Sequence, residues 1–177
     1  MALTLIILGV IGRLAFKEYI GIPNFEIVTT IALISGIYLG GLYIAIVPLS
    51  VIFLSDLIIG NNFILLFTWS AFVFISVMGY AFRKKVKKNI ILGSISVALL
   101  SSIFFYLYTN FGWWLMSGMY EYSISGLLQC YYMAIPFFRN SLIGNLIFVP
   151  VGVYSFSRAL AYFKIEDIVC NKLQTKI

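Results

Sequence analysis

Apolar positions run along this chain in long, almost unbroken stretches, separated by short polar clusters rather than alternating with them. A helix needs about 20 residues to cross a hydrocarbon layer about 30 Å thick, so each stretch can be measured against that length. The first, Ala2–Phe16, closes with Arg13 and Lys17, whose long stems can carry their charges to an interface. Pro23 and Asn24 then interrupt the chain. The run from Ile27 to Ile59 would extend roughly 50 Å as one helix at 1.5 Å per residue, too far for one crossing. Gly40-Gly41 near its middle predicts a tight helical hairpin, and Pro48 marks a kink in the second arm. Further helices are predicted over Phe63–Phe82, Ile90–Thr109 and Ser141–Phe163, and a basic loop, Arg83–Lys88, follows the first of these. Between the fifth and sixth helices, Asn110–Asn140 is aromatic and interrupted by Gly112, Gly118, Glu121, Gly126, Pro136 and Arg139. It reads as an interfacial or re-entrant segment, and non-helical backbone at membrane depth must be buried in protein or line a wet cavity.

Composition turns this pattern into a fold class. Of 177 residues, 62% are hydrophobic and 10% charged, with a mean hydropathy of +1.04. A soluble domain carries roughly 25% charged residues and cannot hide so much apolar surface in one core of this size. The prediction is a single integral membrane domain over 1–177, an all-α polytopic bundle of six transmembrane helices. The net charge is +6, but the basic residues gather at helix ends as topology signals rather than as a nucleic-acid footprint. With six spans, one side holds Arg83, Lys84, Lys85, Lys87, Lys88, Arg158, Lys164, Lys172 and Lys176, and the other holds Arg13, Lys17 and Arg139. The bias places both termini in the cytoplasm. No basic region precedes the first apolar run, so no cleavable signal is read there.

The same topology collects polar residues on the outer side: Asn24, Glu26, Asp56, Asn61, Asn62, Asn110, Glu121, Gln129, Arg139 and Asn140. A charge at membrane depth is costly and faces protein or a cavity. Asp56 stands in an otherwise apolar run, which predicts an ion pair with Arg139 or Arg13. One reading makes these residues caps and headgroup anchors; the other makes them the lining of an outward-facing ligand site. Trp113, Trp114, Tyr120, Tyr122, Tyr131 and Tyr132 fit an aromatic belt or the walls of a pocket, and their density in twenty residues is more than a belt requires. Small residues at four-residue spacing, Ser94, Ala98 and Ser102 or Gly36 and Gly40, allow close helix approach, within the chain or to another membrane subunit.

Catalytic chemistry finds little support. Histidine is absent, which removes imidazole bases, His ligands and Ser-His or Cys-His nucleophile pairs. Cys130 and Cys170 match no metal or redox spacing. No phosphate-binding GxxxxGK[ST] run occurs, so any pumping must draw on a partner. The expectation is no enzyme, no cofactor and no metal.

Several blocks carry a resemblance: Pro23-Asn24-Phe25; Leu54-Ser55-Asp56-Leu57 with Gly60; Thr109-Asn110-Phe111-Gly112-x-Trp114; Gly126-Leu127-Leu128-x-Cys130-Tyr131; and Ala134-Ile135-Pro136-Phe137-Phe138-x-Asn140 followed by Gly144. In this order they resemble an uncharacterised prokaryotic membrane family, itself similar to the substrate-binding S components of energy-coupling factor (ECF) transporters. The resemblance implies six helices in the cytoplasmic membrane, both termini inside, and a ligand near the outer face. It also implies a transmembrane coupling subunit and two cytoplasmic ATPases as partners. The chain departs from the pattern in two places. Its first helix offers Gly9, Gly12 and Ala15 in place of an alanine-x-x-x-alanine stripe, and Ile27 and Asn145 stand where the uncharacterised family tends to have Pro and Asp.

The function expected on these grounds is a membrane-embedded substrate-binding subunit for uptake of a small polar or heterocyclic molecule. Trp113, Trp114 and Tyr131 would stack on the ligand, and Asn110, Arg139 and Asn140 would supply hydrogen bonds. Asn24, Glu26 and Asn61 would join the site, and Asp56 would hold Arg139. The alternative is a non-transporting membrane scaffold or assembly partner.

Overall fold

A computed structural model describes residues 1–25, 27–60 and 63–174. Among these residues the chain is all-helical, with six helices: α1 (Ala2–Ala15), α2 (Val28–Ile34), α3 (Tyr43–Ile59), α4 (Leu65–Lys88), α5 (Ile90–Ser117) and α6 (Ile124–Gln174). α1 and α2 each end in a wider π-turn, Phe16–Ile20 and Ser35–Leu39. Both turns stop at a glycine with positive φ, Gly21 at 64° and Gly40 at 67°, where a Cβ would be strained. Three helices are long and apolar enough to cross a membrane: Leu65–Lys88, Ile90–Ser117 and Ile124–Phe163. Many of their apolar side chains are exposed, and only 28%, 28% and 11% of their most apolar windows are buried.

The helices run alternately up and down around α2, every residue of which is buried between Val28 and Ile34. Leu33 and Gly36 of α2 meet Gly79 and Ser76 of α4, and Tyr38 reaches Val153 and Phe156 of α6. Gly9 of α1 lies against Val51 of α3, and Gly93 of α5 against the backbone of Val86 in α4. The Gly40-Gly41 turn and the basic end of α4 share one end of the bundle, where Lys87 sits 5.2 Å over the Tyr38 ring.

Three expectations change, and a fourth, left open between two readings, is narrowed. The residues Arg83–Lys88 are the last turns of α4 rather than a loop, and the side chain of Asn89 caps α5 by accepting from the Leu92 N–H at 3.1 Å. The interfacial or re-entrant segment expected over Asn110–Asn140 is instead the end of α5, a short turn at 118–123, and the start of α6. Its glycines do different work from the one read into them. Gly112 is buried where any Cβ would strike the Phe67 ring, and Gly126 is helical against the Glu121 carbonyl; of these two and Gly118, only Gly118 (φ 67°) ends a helix. The helix predicted over Ser141–Phe163 is therefore the later part of α6, which carries Pro136 and Pro150 inside it. Finally, Ser94, Ala98 and Ser102 are fully buried within this chain, and so is Gly36, so these small residues serve its own packing.

Candidate functional site

At the end of the bundle opposite Arg83–Lys88 lies a partly enclosed cavity of about 770 Å³. Two facing helices supply most of its wall by the same arithmetic. From α5 come Ser102, Phe105, Tyr106, Thr109, Asn110 and Trp113; from α6 come Cys130, Met133, Ala134, Phe137, Phe138 and Ser141. Each set follows the spacing i, i+3, i+4, i+7, i+8, i+11, which is one face of an α-helix at 3.6 residues per turn. Ile64, Thr68 and Phe72 of α4 add a third stripe, and Arg13, Asn24 and Asp56 close the remaining side. From Ser102 to Trp113 the wall rises roughly 16 Å.

An ion pair anchors that side. Arg13 donates from Nη1 to Asp56 Oδ1 at 2.6 Å and to Ser55 Oγ at 2.6 Å. Trp69 donates from Nε1 to Asp56 Oδ2 at 3.0 Å. The pair is largely withdrawn from solvent, with side-chain exposures of 16% for Arg13 and 8% for Asp56. One carboxylate thus joins α1, α3 and α4. Asn24, in the connection between α1 and α2, adopts a left-handed φ of 58°, tolerated best by Asn among non-glycine residues. Asn140 donates to the Pro23 carbonyl at 3.2 Å and ties this connection to α6. Phe25 follows it inward onto Phe16 and Phe148, with ring centroids 5.8 and 5.2 Å away.

The floor is polar and buried. Asn145, 2% exposed, donates to Ser102 Oγ at 2.9 Å and to Ser141 Oγ at 3.4 Å. Above it, Tyr106 donates to the Tyr131 carbonyl at 2.6 Å, and Asn110 donates to the Tyr106 carbonyl at 2.8 Å.

Of the residues expected at the site, Asn24, Asp56, Asn110 and Trp113 line the cavity. Glu26 and Asn61 lie outside the described residues. Asn140 supports the site through Pro23 without lining it. Trp114 turns away from the cavity: its Nε1 donates to the Glu121 carbonyl at 2.9 Å and its ring packs on Phe111 and Tyr122, fastening the 118–123 turn. Tyr131 donates to the Leu107 carbonyl at 3.0 Å and its ring stacks outside the lining, against Tyr106. Arg139 is exposed and stands nine residues after Cys130, about half a turn off the lining face. It neither lines the cavity nor forms the ion pair expected with Asp56; Arg13 takes that role. Sequence reasoning also passed over Thr68, Ser102, Tyr106, Thr109 and Cys130. The helical spacing of 102–113 and 130–141 was the signal that carries the last four; Thr68, outside both stretches, has no such signal.

The fold and the cavity define a strongly apolar six-helix bundle with one polar and aromatic chamber at the end away from its basic residues. The chain belongs to a family of unknown function (DUF6580), whose model matches residues 1–166. No curated protein and no solved structure matches it.

Proposed function

We propose that this protein is an integral membrane protein that binds a small molecule in the cavity between α4, α5 and α6, as the substrate-binding subunit of an uptake system. The observation that carries the reading is the chamber itself: about 770 Å³, within the size of ligand sites, with aromatic walls and a few convergent polar groups. Outward-facing apolar side chains on all three long helices favour a lipid surround over water. The positive-inside bias, applied to Arg83–Lys88, turns the cavity end outward and both termini to the cytoplasm. The likeness to ECF S components supports the same orientation. In that arrangement a coupling subunit and ATPases supply the energy. Such a partner would meet large aliphatic side chains on α1, among them Leu3, Ile7, Leu8 and Ile11, because Gly9 and Gly12 face inward onto Val51 and Ile27.

The test is native mass spectrometry of the full chain extracted from its own host membrane. A small-molecule adduct is expected on the wild type, lost when Ala134→Phe fills the chamber, and kept by Arg139→Ala, which alters an exposed residue off the lining face. An adduct that survives Ala134→Phe in a folded preparation places binding elsewhere and overturns the reading. Loss in Arg139→Ala with the fold intact would return the site to the outer face of α6.

A further inference from the structure

Several hydroxyl hydrogens of the chamber wall are committed to the backbone, and this bears on the polarity of what it can bind. Thr68 donates to the Ile64 carbonyl at 3.0 Å, Ser102 to Ala98 at 2.9 Å, Thr109 to Phe105 at 2.7 Å and Tyr106 to Tyr131 at 2.6 Å. A hydroxyl that has given its one hydrogen to the backbone still offers lone pairs. Four hydroxyls on the lining therefore act chiefly as acceptors, although Ser102 already accepts from Asn145. Among the described residues the lining holds one cation, Arg13, and it is ion-paired with Asp56. Among the described residues the hydrogens left for a ligand are on neutral groups: the hydroxyls of Ser141 and Tyr120, the Trp113 indole N–H and the amides of Asn24 and Asn110. A carboxylate or phosphate entering here would lose its water and meet no uncommitted positive charge, a heavy desolvation cost. Conversely, six aromatic side chains, Phe72, Phe105, Tyr106, Trp113, Phe137 and Phe138, line the same space, and aromatic ring faces attract cations, most strongly away from water.

We infer that the chamber selects an aromatic-sized organic cation rich in N–H donors, an amidine, guanidine or amino-heterocycle, over an anion of the same shape. The inference rests on the cavity reading above and specifies its ligand class. Acceptor oxygens take the N–H groups, ring faces take the charge, and the Arg13–Asp56 pair keeps the wall neutral.

The experiment uses the full chain in lipid nanodiscs, with empty nanodiscs as the blank, and three probes of one shape. 2-Naphthamidine is cationic, 2-naphthamide neutral and 2-naphthoate anionic. Calorimetry should give the amidine at least about tenfold tighter than the naphthoate, with the amide between, a ratio in the range that a hydrogen bond to a charged group supports. Thr109→Val keeps the shape and removes a lone pair; it should weaken the amidine by about tenfold and leave the naphthoate unchanged. Tyr106→Phe serves as the second variant if Thr109→Val fails to elute as a folded, monodisperse species. Naphthoate binding as tightly as the amidine, lost on Ala134→Phe, overturns the polarity inference and leaves the cavity reading standing. Amidine binding that neither variant weakens overturns the assignment to this wall. If none of the three binds, the inference falls. An adduct in the native mass spectrum would then decide whether the cavity reading falls with it.

Discussion

Arg13 and Asp56 show how one residue can organise three helices. Removing one partner from a largely buried ion pair costs roughly 3–5 kcal/mol. Arg13 keeps 16% exposure, so the lower end applies. Asp56→Ala should cost about 3 kcal/mol, read from chemical unfolding of the protein in mixed micelles. Replacing both charges, with Arg13→Met and Asp56→Leu, should recover most of that loss, because apolar substitution of a whole buried pair removes the desolvation cost of both ions. A double variant as unstable as Asp56→Ala would show that the helix junction depends on the Ser55 and Trp69 bonds more than on the charges. Sequence alone made Asp56 conspicuous, since an acid in an apolar run needs a partner. It left that partner open between Arg13 and Arg139, because the choice depends on which helix face Arg139 occupies. That face follows only once 124–140 is known to be helical.

At the scale of elements, glycine and proline were the source of what was misread. Between Asn110 and Asn140 they looked like breaks, yet Gly112 makes room for the Phe67 ring and Pro136 lies within α6. A glycine that ends a helix and one that admits a neighbour are the same letter; only the opposing surface tells them apart. Where the glycine pair bounded two apolar runs, as at Gly40-Gly41, length decided the matter and the hairpin was legible. The distinction can be measured. A Cβ on Gly36 would collide with the Ser76 carbonyl and the Tyr80 amide, both backbone atoms of α4 that cannot rotate aside. Overpacking costs typically 1–3 kcal/mol, and Gly36→Ala should fall at the top of that range, about 3 kcal/mol, by forcing α2 and α4 apart. At Gly41 nothing lies within 4 Å and only the φ of 55° resists a side chain, so Gly41→Ala should cost about 1 kcal/mol. Equal losses in the two variants would mean that the α2–α4 contact is looser than the backbone geometry requires.

For the whole molecule, the polar chamber and the basic helix end lie at opposite poles, and the proposed function needs those poles on opposite sides of a membrane. The geometry behind this is the alternation of six helices. The Gly40 turn and the α4–α5 junction close one pole; the 118–123 turn and the end of α3 close the other. Two of the connections expose a side chain suited to labelling, Leu42 at the basic pole, 79% exposed, and Met119 at the chamber pole, 70% exposed. Neither makes a contact on which the helices depend, so cysteine at either position should leave the fold intact. In a background lacking Cys130 and Cys170, a membrane-impermeant maleimide added to intact cells should label Met119→Cys and spare Leu42→Cys. Inverted vesicles should reverse the pattern. The direction follows from five basic residues between Arg83 and Lys88, which resist transfer to the outer face. The opposite assignment, with Leu42→Cys labelled from outside, would turn the chamber toward the cytoplasm and exclude capture of an external solute while leaving the ligand class untouched. Labelling of both positions from one side would break the alternation itself, since the number of crossings between residues 42 and 119 would then be even. In the proposed topology α3, α4 and α5 make three, and an odd number is what would place the chamber at one face and the basic anchor at the other.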